Sequence, residues 1–201
     1  MVVALGGNAL LRGGEGTIED QRRSIRQTVP HIGDLYEAGH DLVFTHGNGP
    51  QVGQLLLQNE ESTSVPAKPM DVLGAESQAQ IGYLLQQELH NALDVTPVTT
   101  VTQTRVDPDD PAFDDPTKPV GPFYDEAEAA EKDFRTKEVT TSDGSVAYRR
   151  VVPSPHPIEI VESDRIGTLV ETGQPVICVG GGGVPVVEED GDYRGVEAVI
   201  D

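Results

Sequence analysis

Tryptophan is absent from these 201 residues, and cysteine occurs once, at Cys178. A lone thiol cannot close an intramolecular disulfide, so a reducing cytoplasm fits better than secretion. Cys178 sits in the apolar run 176–179 and reads as a buried packing residue, not a nucleophile. Aromatic residues are 4% of the chain, so Val, Ile, Leu and Ala must fill any core. Bases are scarce: 14 Lys and Arg face 34 Asp and Glu, for a net charge of −20. Such a surface repels nucleic acid and anionic membranes, which are not expected partners. Only Lys68, Lys118, Lys132 and Lys137 are lysines. High acidity with little lysine is the pattern of halophilic cytoplasmic proteins, whose charged surface stays soluble in concentrated salt. No apolar run approaches the length of a membrane span. The chain opens directly on a strand-like run without a basic leader, so no signal peptide is expected. His31, His40, His90 and His156 lack metal-ligand spacing, and no metal site is expected.

What is present alternates strand and helix signals. Residues 1–5 are a short apolar run ending at Gly6-Gly7. Ile18, Ile25, Val29, Ile32, Leu35 and Tyr36 fall on one helical face, with Gly39 as the stop. A second strand, 41–46, runs into Gly47-Asn48-Gly49. A helix follows from Pro50, a residue suited to a first turn. Residues 73–93 repeat apolar side chains at helical spacing, and 95–106 reads as one Val/Thr-rich strand. Ile166, Leu169 and Val170 predict the inward side of a helix over 162–172. A strand over 175–179 then ends in Gly180 to Gly183. Short apolar runs at 184–187 and 195–200 close the chain. This order predicts a doubly wound, mainly parallel sheet with helices on both faces.

The texture changes at residue 107. Pro108, Pro111, Pro116, Pro119 and Pro122 punctuate an acidic stretch. A short helix signal at 125–133 follows, then two β-like runs around Ser142-Asp143-Gly144, a hairpin signal. We therefore expect three parts: an α/β region over 1–106, an inserted subdomain over 107–152, and a return to the main sheet over 153–201. The acidic run 107–115 reads as a solvated face; Arg149-Arg150 could pair with it or with substrate, and surface pairing is the preferred reading.

Three glycine clusters each follow a strand: Gly6-Gly7-Asn8, Gly47-Asn48-Gly49 and Gly180 to Gly183. In an open parallel sheet, ligands bind beyond the carboxyl ends of the strands. Glycine there lets the backbone approach an anion, and a following helix presents its positive end. Each cluster alone could be no more than a tight turn. Neither a G-x-G-x-x-G nor a G-x-x-x-x-G-K-[ST] order occurs, which disfavours a dinucleotide dehydrogenase and a P-loop kinase. Asn8 and Asn48 could donate amide hydrogen bonds to a phosphoryl or carboxyl oxygen, or could cap helices. His46 could brace the turn. Lys118 lies between Pro116 and Pro119, where a stiff mount could hold a cation against a phosphoryl group; the alternative is a solvated surface lysine.

These residues resemble the carbamate kinases of the amino acid kinase superfamily. The matching stretches are 2–9, 45–53 (Thr-His-Gly-Asn-Gly-Pro-Gln-Val-Gly), 116–123 around Lys118, 150–155, 180–186 and 195–201, in order along the whole chain. The resemblance implies a three-layer α/β/α sandwich with a mainly parallel sheet, incomplete at its C-terminus, and a homodimer. It implies a lid formed by the inserted subdomain. Gly6, Gly7, Asn8, Gly47 and Asn48 would cradle carbamoyl phosphate, with Gly49, Gly180 and Gly181 completing the glycine loops. Lys118 would reach the transferred phosphoryl group. Mg2+ would bridge the phosphates of ADP or ATP. The implied reaction forms ATP from carbamoyl phosphate and ADP in arginine fermentation. In the family a lysine and an aspartate follow the position of Asp201, and most of the nucleotide site lies further on. The chain alone is expected to bind nucleotide poorly and turn over negligibly. Competing readings are another phosphotransferase of the superfamily, acting on an amino acid carboxylate or a nucleotide, and a non-catalytic ligand-binding domain.

Overall fold

A computed structural model describes residues 1–11 and 16–200, with Asn8 described by its backbone alone. The chain begins with β1 (Val2–Leu5), a single turn α1 (Gly7–Leu10) and α2 (Ile18–Glu37). Thr17 starts α2 with a reciprocal cap: its hydroxyl accepts from Asp20 N at 3.1 Å, while Asp20 Oδ2 accepts from Thr17 N at 3.3 Å. That satisfies two of the donors a helix start leaves orphaned. Next come β2 (Val43–His46), α3 (Gly49–Glu61) and α4 (Met70–Leu93). β3 (Val98–Thr99) and β4 (Gln103–Val106) follow.

The segment expected as an insertion contains β5 (Lys118–Tyr124), α5 (Glu126–Ala130), β6 (Thr136–Thr140) and β7 (Val146–Val152). The chain then runs through β8 (Pro157–Ile160), α6 (Ser163–Val170), β9 (Val176–Ile177), β10 (Val184–Glu189) and β11 (Asp192–Gly195).

One sheet has the order β1-β2-β9-β3, and its three pairings are all parallel. Helices α2 and α4 cover one face of it. Ile25, Val29 and Ile32 of α2 meet Ile81, Leu84, Leu85 and Leu89 of α4 over Phe44 and Ile177. Phe44 and Leu89 are completely buried. A side chain of this kind contributes about 1.5–3 kcal/mol on leaving water, so this cluster anchors the strand ends that carry the glycines.

The run 95–106 is two strands, not one. β3 pairs with β9, whereas β4 pairs in parallel with β10 in a second sheet of order β11-β10-β4-β8. The break has a cause. Between β9 and β10 the glycines at 181, 182 and 183 all have positive φ, so that chain turns sharply. Its neighbour must turn with it, and buried Thr102 holds the corner. Thr102 N donates to Gln78 Oε1 at 2.8 Å, and Thr102 Oγ1 accepts from Val179 N at 2.9 Å. Residues 195–200 form no strand over most of their length. Their backbone is instead tied by Val196 N to Pro185 O and Val199 N to Pro153 O. The expected inward residues of α6 are only half-buried, because the helix rests on β9, a two-residue strand that covers little of it.

The strands between 107 and 152 pair with one another in an antiparallel sheet, β5-β7-β6. This sheet is not detached. Val120 and Val152 share a core with Val52 and Leu56 of α3 and with Met70 and Leu73 of α4. Glu60 at the end of α3 accepts from Tyr124 Oη at 2.5 Å and from Lys132 Nζ at 2.8 Å. Among the described residues no helix is long and apolar enough to cross a membrane.

Candidate active site

The register of the parallel sheet brings the glycine clusters together. Leu5 pairs with His46, and Phe44 with Ile177, so 6–7, 47–49 and 180–183 emerge side by side from three adjoining strands. The inserted sheet crosses α3 above them. Gly53 of α3 faces Gly121 of β5 in close approach, and Gly121 has φ of +73°. Between these walls lies a cavity of about 800 Å³. His46, Gly47, Asn48, Gly49, Gly181 and Gly182 line one side, Lys118 to Phe123 and Arg149 the other, and Val199 and Ile200 the floor. Such a volume accommodates a small phosphorylated ligand.

Lys118, Gly47, Asn48, Gly49 and Gly181 of the expected set share this cavity. Gly6 and Gly7 do not line it; they are exposed one strand away, beside Gly47. Gly180 lies beneath it, packed so closely on His46 that a Cβ there would stand 2.4 Å from the ring. The side chain of Asn8 and all of Asp201 lie outside the described residues. Lys118 opens β5, paired with Val152, so its backbone is mounted in a sheet and not in a free loop.

The two kinds of glycine do different work. At Gly47 and Gly49 an added Cβ would meet nothing within 4 Å, and neither has positive φ. Nothing in the fold demands glycine there, so the empty space is the feature. Gly47 contributes space and not a donor, because its N–H goes to Leu5 O at 3.1 Å. Donors come instead from the first turn of α3, where N–H groups have no intrahelical partner and the helix end is positive.

Asn48 starts that helix without capping it. Its Nδ2 donates to Ser77 Oγ at 2.8 Å, and Ser77 Oγ donates its own proton to Gly74 O at 2.6 Å. Ser77 can therefore only accept from Asn48, which fixes the amide with its nitrogen toward Ser77 and leaves a second amide N–H. His46 is buried, with Nδ1 at 3.0 Å from Gly47 O. A carbonyl only accepts, so the proton sits on Nδ1.

Burial pushes the His46 pKa below its ordinary 6.5, partly opposed by the bond to Gly47 O. In the unfolded chain His46 protonates near 6.5, whereas the folded chain resists, so stability from this group is complete above that pH and lost as pH falls from there toward the folded pKa. The His46→Gln variant is expected to lose less stability than wild type between about pH 7.5 and about pH 5.5. Urea unfolding at the two pH values measures this; equal losses would remove His46 as a source of acid sensitivity.

Sequence reasoning missed the floor residues Val199 and Ile200, and it ranked substrate contact by Arg149-Arg150 behind surface pairing. Arg149-Arg150 was expected to pair with acids at the surface. Arg150 does so, donating to Glu197 Oε2 at 2.9 Å, although Glu197 lies outside the acidic run 107–115. Arg149 instead turns into the cavity. Alternation along a strand puts consecutive side chains on opposite faces, and that signal was present in the sequence once 146–152 was read as β. Cys178 is buried and its thiol is pushed up to about 11, which leaves it unreactive as a nucleophile.

Comparison with known proteins agrees with this architecture. The family model described as amino acid kinase family matches residues 1–196. A carbamate kinase of Halobacterium salinarum is 73% identical over 200 residues, across 100% of this chain and 65% of that protein. A carbamate kinase of Pyrococcus horikoshii is 50% identical, across 100% of this chain and 67% of that protein. Among solved structures, carbamate kinase from Giardia lamblia bound to citric acid superposes with a TM-score of 0.89 at 43% identity, covering 100% of this chain and 67% of that one. The same enzyme bound to AMP-PNP gives 0.87 at 43% identity, covering 100% and 66%. The chain thus spans about two thirds of the length of the relatives it matches.

Proposed function

The chain belongs to the amino acid kinase family, and from that premise we propose that it supplies the acid-anhydride side of a carbamate kinase. In that reaction a phosphoryl group passes between carbamoyl phosphate and ADP, giving ATP and carbamate. The observation that carries this reading is the shared cavity. Space at Gly47 and Gly49, the amide of Asn48, the N-terminus of α3 and Lys118 all face one volume. A phosphoryl group in transfer spreads negative charge over its equatorial oxygens, and preorganised donors and cations stabilise it. These residues supply both. Gly6, Gly7 and Asn8 would extend the cradle at its rim, and Gly180 would support it from below through His46. Residues 107–152 would serve as the lid, with 1–106 and 153–201 as the body beneath.

The described residues lining the cavity include no carboxylate. Mg2+ accompanying the nucleotide would therefore be held by its phosphates and not by these side chains, and it would neutralise charge there. The reading extends to a cytoplasmic homodimer from a halophile, forming ATP at the end of arginine fermentation. The acidic, lysine-poor composition supports the halophilic part.

The test is ATP formation from carbamoyl phosphate and ADP. A protein carrying these residues together with the further third of its relatives' length is expected to catalyse it. The 201 residues alone are expected to show negligible turnover. No activity in the longer protein, or equal activity in the shorter one, would overturn the proposal.

A further inference from the structure

Among the described residues arginines almost always have an acid beside them. Arg22, Arg23, Arg26, Arg105, Arg135, Arg150 and Arg194 are each ion-paired with Asp or Glu. In a chain with 34 acids this is unsurprising. The described exceptions are Arg165 and Arg149. Arg165 is exposed on α6, where water solvates its charge. Arg149 is half-buried and lines the cavity with no carboxylate beside it. A partly desolvated cation without a protein anion is costly, and a ligand anion removes that cost.

The guanidinium is also held for a purpose. Arg149 Nε and Nη2 both donate to Gly121 O, at 3.1 and 2.8 Å. The guanidinium carbon Cζ lies over the ring of Phe123, 5.0 Å from its centroid. One edge of the fork is thereby anchored and one face covered. The end-on edge, with one N–H from each Nη, remains for two oxygens of a tetrahedral anion. A second cavity, behind the same strand, shows the contrast. Arg135, Arg150 and Arg194 line it, but each is already neutralised by Asp115, Glu197 or Glu189.

We propose that Arg149 is a second cationic contact of the phosphoryl group, grasping a phosphoryl dianion through its end-on edge while Lys118 meets it from the start of the same sheet. This rests on the cavity being the phosphoryl site. Burial lowers the Arg149 pKa from the ordinary guanidinium value, yet it stays protonated at neutral pH. Lysine cannot replace it, because an ammonium lacks the fixed fork that holds Gly121 O with two donors and still presents two more to an anion.

The experiment is a phosphorus-31 NMR titration of this chain with inorganic phosphate at fixed ionic strength. Wild type, Arg149→Gln, Arg149→Lys, Lys118→Ala and Arg165→Ala are compared, with circular dichroism confirming the fold of each. Arg149→Gln is expected to weaken phosphate binding about tenfold or more. Arg149→Lys, the variant least disturbing to the fold, is expected to recover little of that loss, and Arg165→Ala none of it to begin with. If Arg149→Gln binds within about twofold of wild type while Lys118→Ala is weakened tenfold, the inference about Arg149 fails and the cavity reading stands. If Arg149→Lys binds like wild type, any cation suffices and the guanidinium grip is wrong. If phosphate does not bind wild type, the phosphoryl-site reading falls and takes the inference with it.

Discussion

Lys118→Ala is expected to lower kcat for phosphoryl transfer by about a hundredfold to a thousandfold in the longer protein that carries these residues, with a smaller change in KM. The split follows from where charge develops. On the proposed reading, ground-state phosphate would also be met by Asn48, the α3 N-terminus and Arg149, so loss of Lys118 would weaken binding far less than it slows transfer. The transition state has further charge on its oxygens, and a lysine already in place stabilises it without reorganisation. Lys118 is in place because it begins β5, pairs with Val152, and is followed by Pro119, whose ring fixes the backbone. The neighbouring core residues Val120 and Val152 tie that strand to α3 and α4. Steady-state ATP formation at varied carbamoyl phosphate measures both parameters. A kcat within about threefold of wild type would remove Lys118 from the chemistry.

The second large effect separates two glycines that look alike in sequence. Gly183→Ala is expected to destabilise the chain by about 3–5 kcal/mol, a fall in Tm of roughly 10 °C. Gly183 has φ of +95°, a region L side chains rarely adopt, and a Cβ there would stand 2.1 Å from Thr104 Oγ1. That hydroxyl cannot simply move, since it donates to Gly182 O at 2.6 Å. Gly47→Ala is expected to leave Tm within a degree or two, since its Cβ would meet nothing within 4 Å. The added methyl would stand in the space an anion needs, so phosphate affinity should fall about tenfold. Thermal unfolding and the phosphate titration measure the pair. A Gly47→Ala protein that is stable and binds phosphate normally would show that the space at the end of β2 is not a ligand seat.

Much of this was legible one residue at a time. The helical faces of α2 and α4, the hairpin of β6 and β7, and three glycine clusters at strand ends follow from periodicity and turn chemistry, which are local. The fate of residues 95–106 was not legible. Val and Thr favour a strand throughout, and only the neighbouring turn at 181–183 splits them between two sheets. Arg149 and Arg150 carry the same charge on adjacent residues. Their different roles depend on what each meets across the fold: the carbonyl of Gly121 in the bulged part of β5 for Arg149, and Glu197 for Arg150.

By itself, then, the order of residues determined the alternating α/β architecture, the strands whose tips carry glycine, and the lysine set between prolines. Backbone preference and side-chain spacing act over a few residues, so a linear reading suffices for them. Tertiary structure alone decided which glycines border open space and which are tight joints. It also decided that Arg149 enters the cavity while Arg150 pairs with Glu197. Those outcomes depend on what stands within a few ångströms across the fold, and residues 28 to 79 positions apart, such as Gly121 with Arg149 or Gly183 with Thr104, meet only when the sheets have assembled.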